Sequence, residues 1–306
     1  MGIISLISGL LLLCTLSQSI LRHNHTPEQI HLAPGSEPDS MTVSWVTYLK
    51  ASQSLAKFRL ADGVGRYVTT VGKQKNFSYD KNRFYTHYVT LRKLAPNTLY
   101  SYKVGSEDGW SEVYTFKSLP RPGSVDSFKV CIFGDLAAGK RGIITPFLIQ
   151  AARTRQFDLI IHAGDIAYNF YSGKTGNFFL NDLQEVFAQI PYIIAIGNHE
   201  REKDHAFHNV KHRFKMPNSM DGSNQFYSVD IGPVHFVAAS TELYQYKENA
   251  AQANQQYKWL SNDLKGFQQS YDAENADPQL KKLAQNILAI PASSSRVERL
   301  FSKICF

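Results

Sequence analysis

The 306 residues are 43% hydrophobic and 19% charged, the balance of a chain with a sizeable core, which excludes wholly disordered and low-complexity classes. The formal net charge of +7 comes from scattered basic residues, which suits a phosphate-type substrate and leaves no concentrated footprint for nucleic acid. Three cysteines are too few for a disulfide framework.

Residues 1–19 hold an uncharged apolar run from Ile3 to Leu16, too short to span a bilayer, with Ser17 and Ser19 at a cleavage-like site. A cleaved secretory signal is expected, and hence a secreted protein without a membrane partner. The sequons at Asn24 and Asn76 fit export and are candidate glycosylation sites. Cys14 would leave with the signal. Cys131 falls in a core-strand pattern, and a bridge from it to Cys305 is possible on paper, although such a thiol is usually a small buried hydrophobe.

From residue 27 to about 120 the pattern is all-β. "MTVSWVTY", "AKFRLADG", "GRYVTTVG", "FYTHYVTLRKL", "LYSYKVGS" and "WSEVYTFKS" alternate, with turn clusters such as "PGSEPDS" and "APNT" among them. A small β-sandwich of fibronectin III-like or immunoglobulin-like character is expected. "SLPRPGS", with two Pro and a Gly, reads as a linker.

From 125 to 267 the rhythm becomes strand, loop, helix. "FKVCIFGD", "DLIIHAGD" and "YIIAIGNHE" read as parallel strands, with helices expected over 141–157 and 178–190. "QFYSVDIG" and "VHFVAAS" read as an antiparallel pair, and 250–267 as a closing helix. Such β-α-β units bind ligands at the carboxyl ends of their strands. Each parallel strand ends in polar residues there: Asp135, then Asp165 with Tyr168, then Asn198 and His199. One such Asp is more often a turn or cap residue. Several converging oxygen donors instead imply a cation, because two close carboxylates repel without one. A metal pair there would activate water for displacement at phosphorus.

"GD" at 134–135, "GDIAYN" at 164–169 and "GNHE" at 197–200, in this order, resemble the metallophosphoesterases, and the Tyr in the second block resembles the purple acid phosphatases. "EQIHLAPG", "MTVSWVT" and "GPVHFVAASTE" extend the resemblance over about residues 27–267. It implies a mixed fold, a β-sandwich followed by a metallophosphoesterase αββα sandwich. It implies an acid phosphatase acting on small phosphomonoesters or phosphoproteins. By it, Asp135 and Tyr168 hold Fe(III), Asp165 bridges to a second divalent metal (Fe, Zn or Mn), Asn198 ligates that second metal, and His199 faces the substrate phosphate.

Two departures stand out. Ala137 occupies a position where the family usually has Gly, and could crowd a close approach. The family's later V-x-x-H and G-H-x-H motifs are absent from these residues, so an incomplete site and impaired activity are expected, with a non-catalytic product as the alternative. His205, His208 and His212 read as a solvated helix face, and His235 as a packed or hydrogen-bonded core residue. His162 reads as a support behind the site or as structural, and Glu200 as support for its loop rather than a ligand. "GDLAAGKR" has the spacing of a nucleotide-binding loop, but Arg141 stands where a hydroxyl is required.

The tail, 268–306, breaks the rhythm. Its run from 283 to 304, "LAQNILAIPASSSRVERLFSKI", resembles the dimerisation segment of hAT transposases through Glu298, Arg299, Phe301 and Ser302. A chimeric tail replacing the rest of the phosphatase domain would leave the apolar faces of the three parallel strands uncovered.

Overall fold

The computed structural model describes residues 24–273 apart from 80–81, 125, 171, 203–206 and 220–221. The expected signal and the hAT-like run lie outside the described residues. Nine strands fill the first part: β1 (Glu28–Pro34), β2 (Met41–Thr47), β3 (Leu55–Leu60), β4 (Val68–Val71), β5 (Lys73–Tyr79), β6 (Asn82–Leu91), β7 (Leu99–Ser106), β8 (Gly109–Trp110) and β9 (Tyr114–Lys117). One sheet runs β1-β2-β6-β5, and the other β4-β3-β7-β8 with β9 also on β7. The expected sandwich is present, with β1, β5 and the two-residue β8 additional to the predicted runs. Between β4 and β5 the chain changes sheets at Gly72, where a Cβ would stand 2.1 Å from the Tyr88 carbonyl oxygen.

β2 is buried along its whole length, polar Thr42, Ser44 and Thr47 included. Strict alternation would have given it one wet face. That face is covered because the sandwich lies against the second part of the chain. His31 of β1 meets Phe214 with ring centroids 5.1 Å apart, and its own Nδ1 bonds Gln29 O at 2.8 Å.

The second part contains β10 (Val130–Phe133), α1 (Thr145–Arg153), β11 (Leu159–Ala163), α2 (Gly173–Asp182), α3 (Gln184–Phe187), β12 (Tyr192–Ala195), α4 (His208–Arg213), β13 (Tyr227–Ile231), β14 (Val234–Ala238) and α5 (Ala250–Ala273). β10, β11 and β12 form a parallel sheet in that order, and β13 and β14 pair antiparallel. α1 is shorter than expected. A 3-10 turn occupies 139–141, Pro146 lies in the first helical turn, and Arg155 takes a φ of 50° just beyond the end. The helix expected over 178–190 begins earlier and divides at Leu183.

β11 and β12 are largely buried, while β10 is the more open strand, with Ile132 exposed. β12 is covered on its hairpin side by Tyr227, whose hydroxyl donates to Ile194 O at 2.5 Å and accepts from Ile194 N at 3.1 Å. The two parts share one continuous apolar core. Across their boundary Tyr102 Oη donates to Ala188 O at 2.7 Å, and Gln184 Oε1 accepts from Ile30 N at 3.0 Å. Buried Arg213 donates to Gln29 Oε1 at 2.6 Å and to Gly173 O at 3.4 Å, with the Phe84 ring 4.6 Å from its guanidinium carbon.

Candidate metal centre

The carboxyl ends of β10, β11 and β12 meet as the alternation of strands and helices requires. Ile132 pairs with Ile161 and Ile161 with Ile193, so the turns after each strand arrive side by side. These turns bend sharply. Asp135, Asp165, Ala167, Tyr168 and Asn169 all have positive φ, between 42° and 89°. Left-handed backbone at five non-glycine residues is strain that marks a site rather than a generic connection.

Asp135 and Tyr168 come together, the Tyr168 hydroxyl donating to Asp135 Oδ1. Asp165 is buried, and its Oδ1 accepts the His199 backbone N–H at 3.1 Å. Burial pushes the Asp165 carboxyl up; the His199 N–H and ring pull against it, and neighbouring Asp135 adds to the push. His199 Nδ1 contacts Asn169 Oδ1 at 3.2 Å, and its ring meets Tyr168 edge-on at 4.8 Å. Asn169, although inside the "GDIAYN" block, is a contact that motif reading missed.

Glu200 ties the turns together. Its carboxylate accepts the backbone N–H of Gly197 at 2.7 Å, Asp165 at 3.0 Å and Ile166 at 2.6 Å. Burial pushes its carboxyl up to about 8, the Asp165 charge adding to this and the three N–H donors opposing it. Gly197 permits the contact. A Cβ there would stand 2.3 Å from Asp165 Oδ1 and 2.7 Å from its backbone nitrogen. Glu202 has a parallel role next door, where its buried carboxylate accepts the N–H groups at the start of α4, from His208 at 2.8 Å and Asn209 at 2.9 Å. His162 is fully buried against Phe133, with Nδ1 2.7 Å from the Tyr192 hydroxyl. Burial holds its ring down at about 3, so the ring is neutral near pH 7. Ala137 stands where the family usually has Gly. It keeps a φ outside the left-handed region and forms a bridge with Ala167.

The residues present fit a hard cation. Among the described residues, Asp165 Oδ2 and Asn198 Oδ1 are both buried without a hydrogen-bond partner, which is costly for oxygens unless something electropositive sits on them. Carboxylate, phenol and amide oxygens are the donor types such ions take. The set is nonetheless sparse. Among the described residues no three His, Cys, Asp or Glu side chains gather as a metal cage.

The downstream histidines lie elsewhere. His208 and His212 of α4 meet the Tyr79 and Phe77 rings of β5 at 4.9 and 5.0 Å, so this helix face lies against the sandwich rather than free in solvent. His205 lies outside the described residues. His235 is hydrogen-bonded, as expected: Nδ1 to Asp230 Oδ1 at 2.6 Å and Nε2 to Asp263 Oδ2 at 2.9 Å. Of the two sequons, Asn76 is exposed on β5, and Asn24 accepts the Tyr48 N–H through its carbonyl at 2.9 Å.

Comparison with known proteins agrees with this geometry. Residues 27–118 match the purple acid phosphatase N-terminal domain and residues 128–288 the calcineurin-like phosphoesterases. The chain is 36% identical over 251 residues to acid phosphatase type 7 of Mus musculus and 35% identical over 244 residues to that of Homo sapiens. Each match covers 78% of this chain and 54% of the relative, so the chain spans about half the length of these curated relatives. The purple acid phosphatase PPD1 of yellow lupin shares the fold with a TM-score of 0.68 at 22% identity, over 91% of this chain and 57% of that one.

Proposed function

Because the chain belongs to the purple acid phosphatases within the calcineurin-like phosphoesterases, we propose that it hydrolyses phosphate monoesters at a binuclear metal centre. The observation that carries the reading is the pair of buried, partnerless oxygens, Asp165 Oδ2 and Asn198 Oδ1, on turns held together by Glu200. Asp135 and Tyr168 would hold Fe(III), Asp165 would bridge, and Asn198 would hold a second ion, Fe, Zn or Mn. The metals would supply an activated water and charge neutralisation at phosphorus. His199 would orient the phosphate and stabilise its developing charge. Its Nδ1 is engaged by Asn169, and Nε2 has no protein hydrogen bond among the described residues.

A secreted location and glycans at Asn24 and Asn76 belong to the same reading, supported by the sequons and by the apolar run at residues 3–16. No helix among the described residues is long and apolar enough to cross a membrane. The hAT-like run supports a separate origin for the tail 268–306 and dimerisation through it. An uninterrupted phosphatase reading frame across residue 268 in the gene would overturn that origin.

The sparse donor set favours a second reading, a chain that binds metal weakly and does not turn over. Metal content per chain, by elemental analysis of protein from a secretory host, separates the two. Near two metals, with hydrolysis of p-nitrophenyl phosphate abolished in Asp165→Asn, supports the enzyme. Well below one metal, without hydrolysis, supports the second reading.

A further inference from the structure

The histidine of the β13–β14 hairpin sits between two carboxylates that the candidate centre does not use. His235 Nδ1 lies 2.6 Å from Oδ1 of Asp230, its cross-strand partner, and Nε2 lies 2.9 Å from Oδ2 of Asp263 on α5. A neutral imidazole has one N–H, so it donates to one carboxylate and turns a lone pair on the other. Only the imidazolium donates to both. Asp263 is oriented for this contact, since its Oδ1 accepts the Ser228 hydroxyl at 2.6 Å. One helical turn further on, Phe267 stacks on the His235 ring with centroids 4.6 Å apart. Among the described residues Asp230 and Asp263 are the charged groups that face the ring; Lys258 and Lys265 of α5 are exposed and pair with neither. Burial pulls the His235 pKa down, but the two carboxylates outweigh it and leave it raised.

The same helix holds a turn that reaches the candidate centre. Gln256 is buried on α5, where its Oε1 accepts the Ser240 N–H at 2.8 Å and its Nε2 donates to Ser240 O at 3.0 Å. Ser240 opens the 3-10 turn Thr241–Tyr244, and Tyr246 just beyond it lies 3.6 Å under the guanidinium of Arg201, the residue after Glu200. We propose that a proton on His235 latches α5 to the hairpin, so that acid holds the helix, and through Gln256 the turn beside the centre, in place. Asp230 shares a hairpin with His235 and faces it whether or not α5 is docked. Asp263 arrives only with the helix. The proton therefore binds more tightly when α5 is docked, and by linkage α5 docks more tightly when the proton is bound. A folded pKa above 6.5 means that this contribution is complete below that pH and is lost as pH rises through the raised value. The latch needs no metal at the centre.

Two measurements on the full chain test this. In an NMR titration the His235 ring, assigned by its disappearance in His235→Gln, should titrate above 6.5, and a midpoint at or below 6.5 would overturn the latch. Hydrogen exchange followed by mass spectrometry reads the docking itself. Protection of residues 250–267, corrected for the intrinsic rate, should fall about threefold to tenfold between about pH 6 and about pH 8.5, the effect of roughly half to one pKa unit between docked and undocked helix. Asp263→Asn should flatten this dependence and bring the His235 midpoint down. Asp230→Asn, at an exposed position, should also lower the midpoint yet keep the dependence, because Asp263 still arrives with the helix. Wild-type protection that does not change with pH, or a dependence that survives intact in Asp263→Asn, would refute the latch. Residues 240–246 should lose protection together with α5; constant protection there while the helix opens would refute the coupling to the turn beside the centre.

Discussion

His87 should make the sandwich sensitive to acid, and its environment allows the size of the effect to be worked out. It is 1% exposed, stacked on Trp45 with ring centroids 5.0 Å apart, and both ring nitrogens lie 2.9 Å from hydroxyls, Thr47 and Ser54. Burial lowers its pKa from 6.5 to about 4, since no carboxylate stands by to favour the imidazolium. A folded value below the unfolded one means that the contribution is present above pH 6.5 and lost as pH falls toward 4. Linkage between these values gives a loss of about 2 kcal/mol at pH 5 and about 3 kcal/mol at pH 4, relative to neutral pH. His87→Gln removes this one titration and leaves every other group in both proteins. At pH 7 the variant should be less stable by ~1–3 kcal/mol, for the lost stacking and hydrogen bonds. By pH 5 that gap should shrink by about 2 kcal/mol. Urea unfolding of both proteins at pH 7, 6 and 5 measures the gap. A gap that stays constant across this range would mean that His87 is charged or wet in the folded protein, and the argument from burial would fail.

Two further substitutions probe the centre. Gly197→Ala should cost ~1–3 kcal/mol and weaken zinc binding at least tenfold, because its Cβ must displace Asp165, whose backbone nitrogen would stand 2.7 Å away. Urea unfolding and calorimetric zinc titration check both, and wild-type zinc affinity would show that the turn can open without harming the site. Glu200→Ala removes the acceptor of three backbone N–H groups, each costing ~1–3 kcal/mol unpaired. A loss of about 3 kcal/mol or more is expected, a fall in Tm of roughly 6–12 °C by differential scanning calorimetry. A fall below about 3 °C would mean that water replaces the carboxylate at little cost.

Much of this protein was legible in its sequence because the signals are local. Alternating Val, Thr and Tyr predicted the sandwich strands, and the change to apolar runs ending in Gly-Asp or Gly-Asn predicted β10, β11 and β12 with polar residues at their ends. The parallel pairing that aligns those ends follows from the connecting helices, which the sequence also carries. The tertiary structure decided which of the polar residues are satisfied. The sequence showed Glu200 as a loop residue, but only the folded chain brings its carboxylate under three N–H groups from two turns. Likewise, β2 shows an alternating pattern and yet is buried along its whole length, and the α4 histidines look like a polar helix face and yet meet aromatic rings of the sandwich. Periodicity records which face of an element is apolar. What a polar face meets is set by packing between parts of the chain far apart in sequence, and no local pattern encodes it.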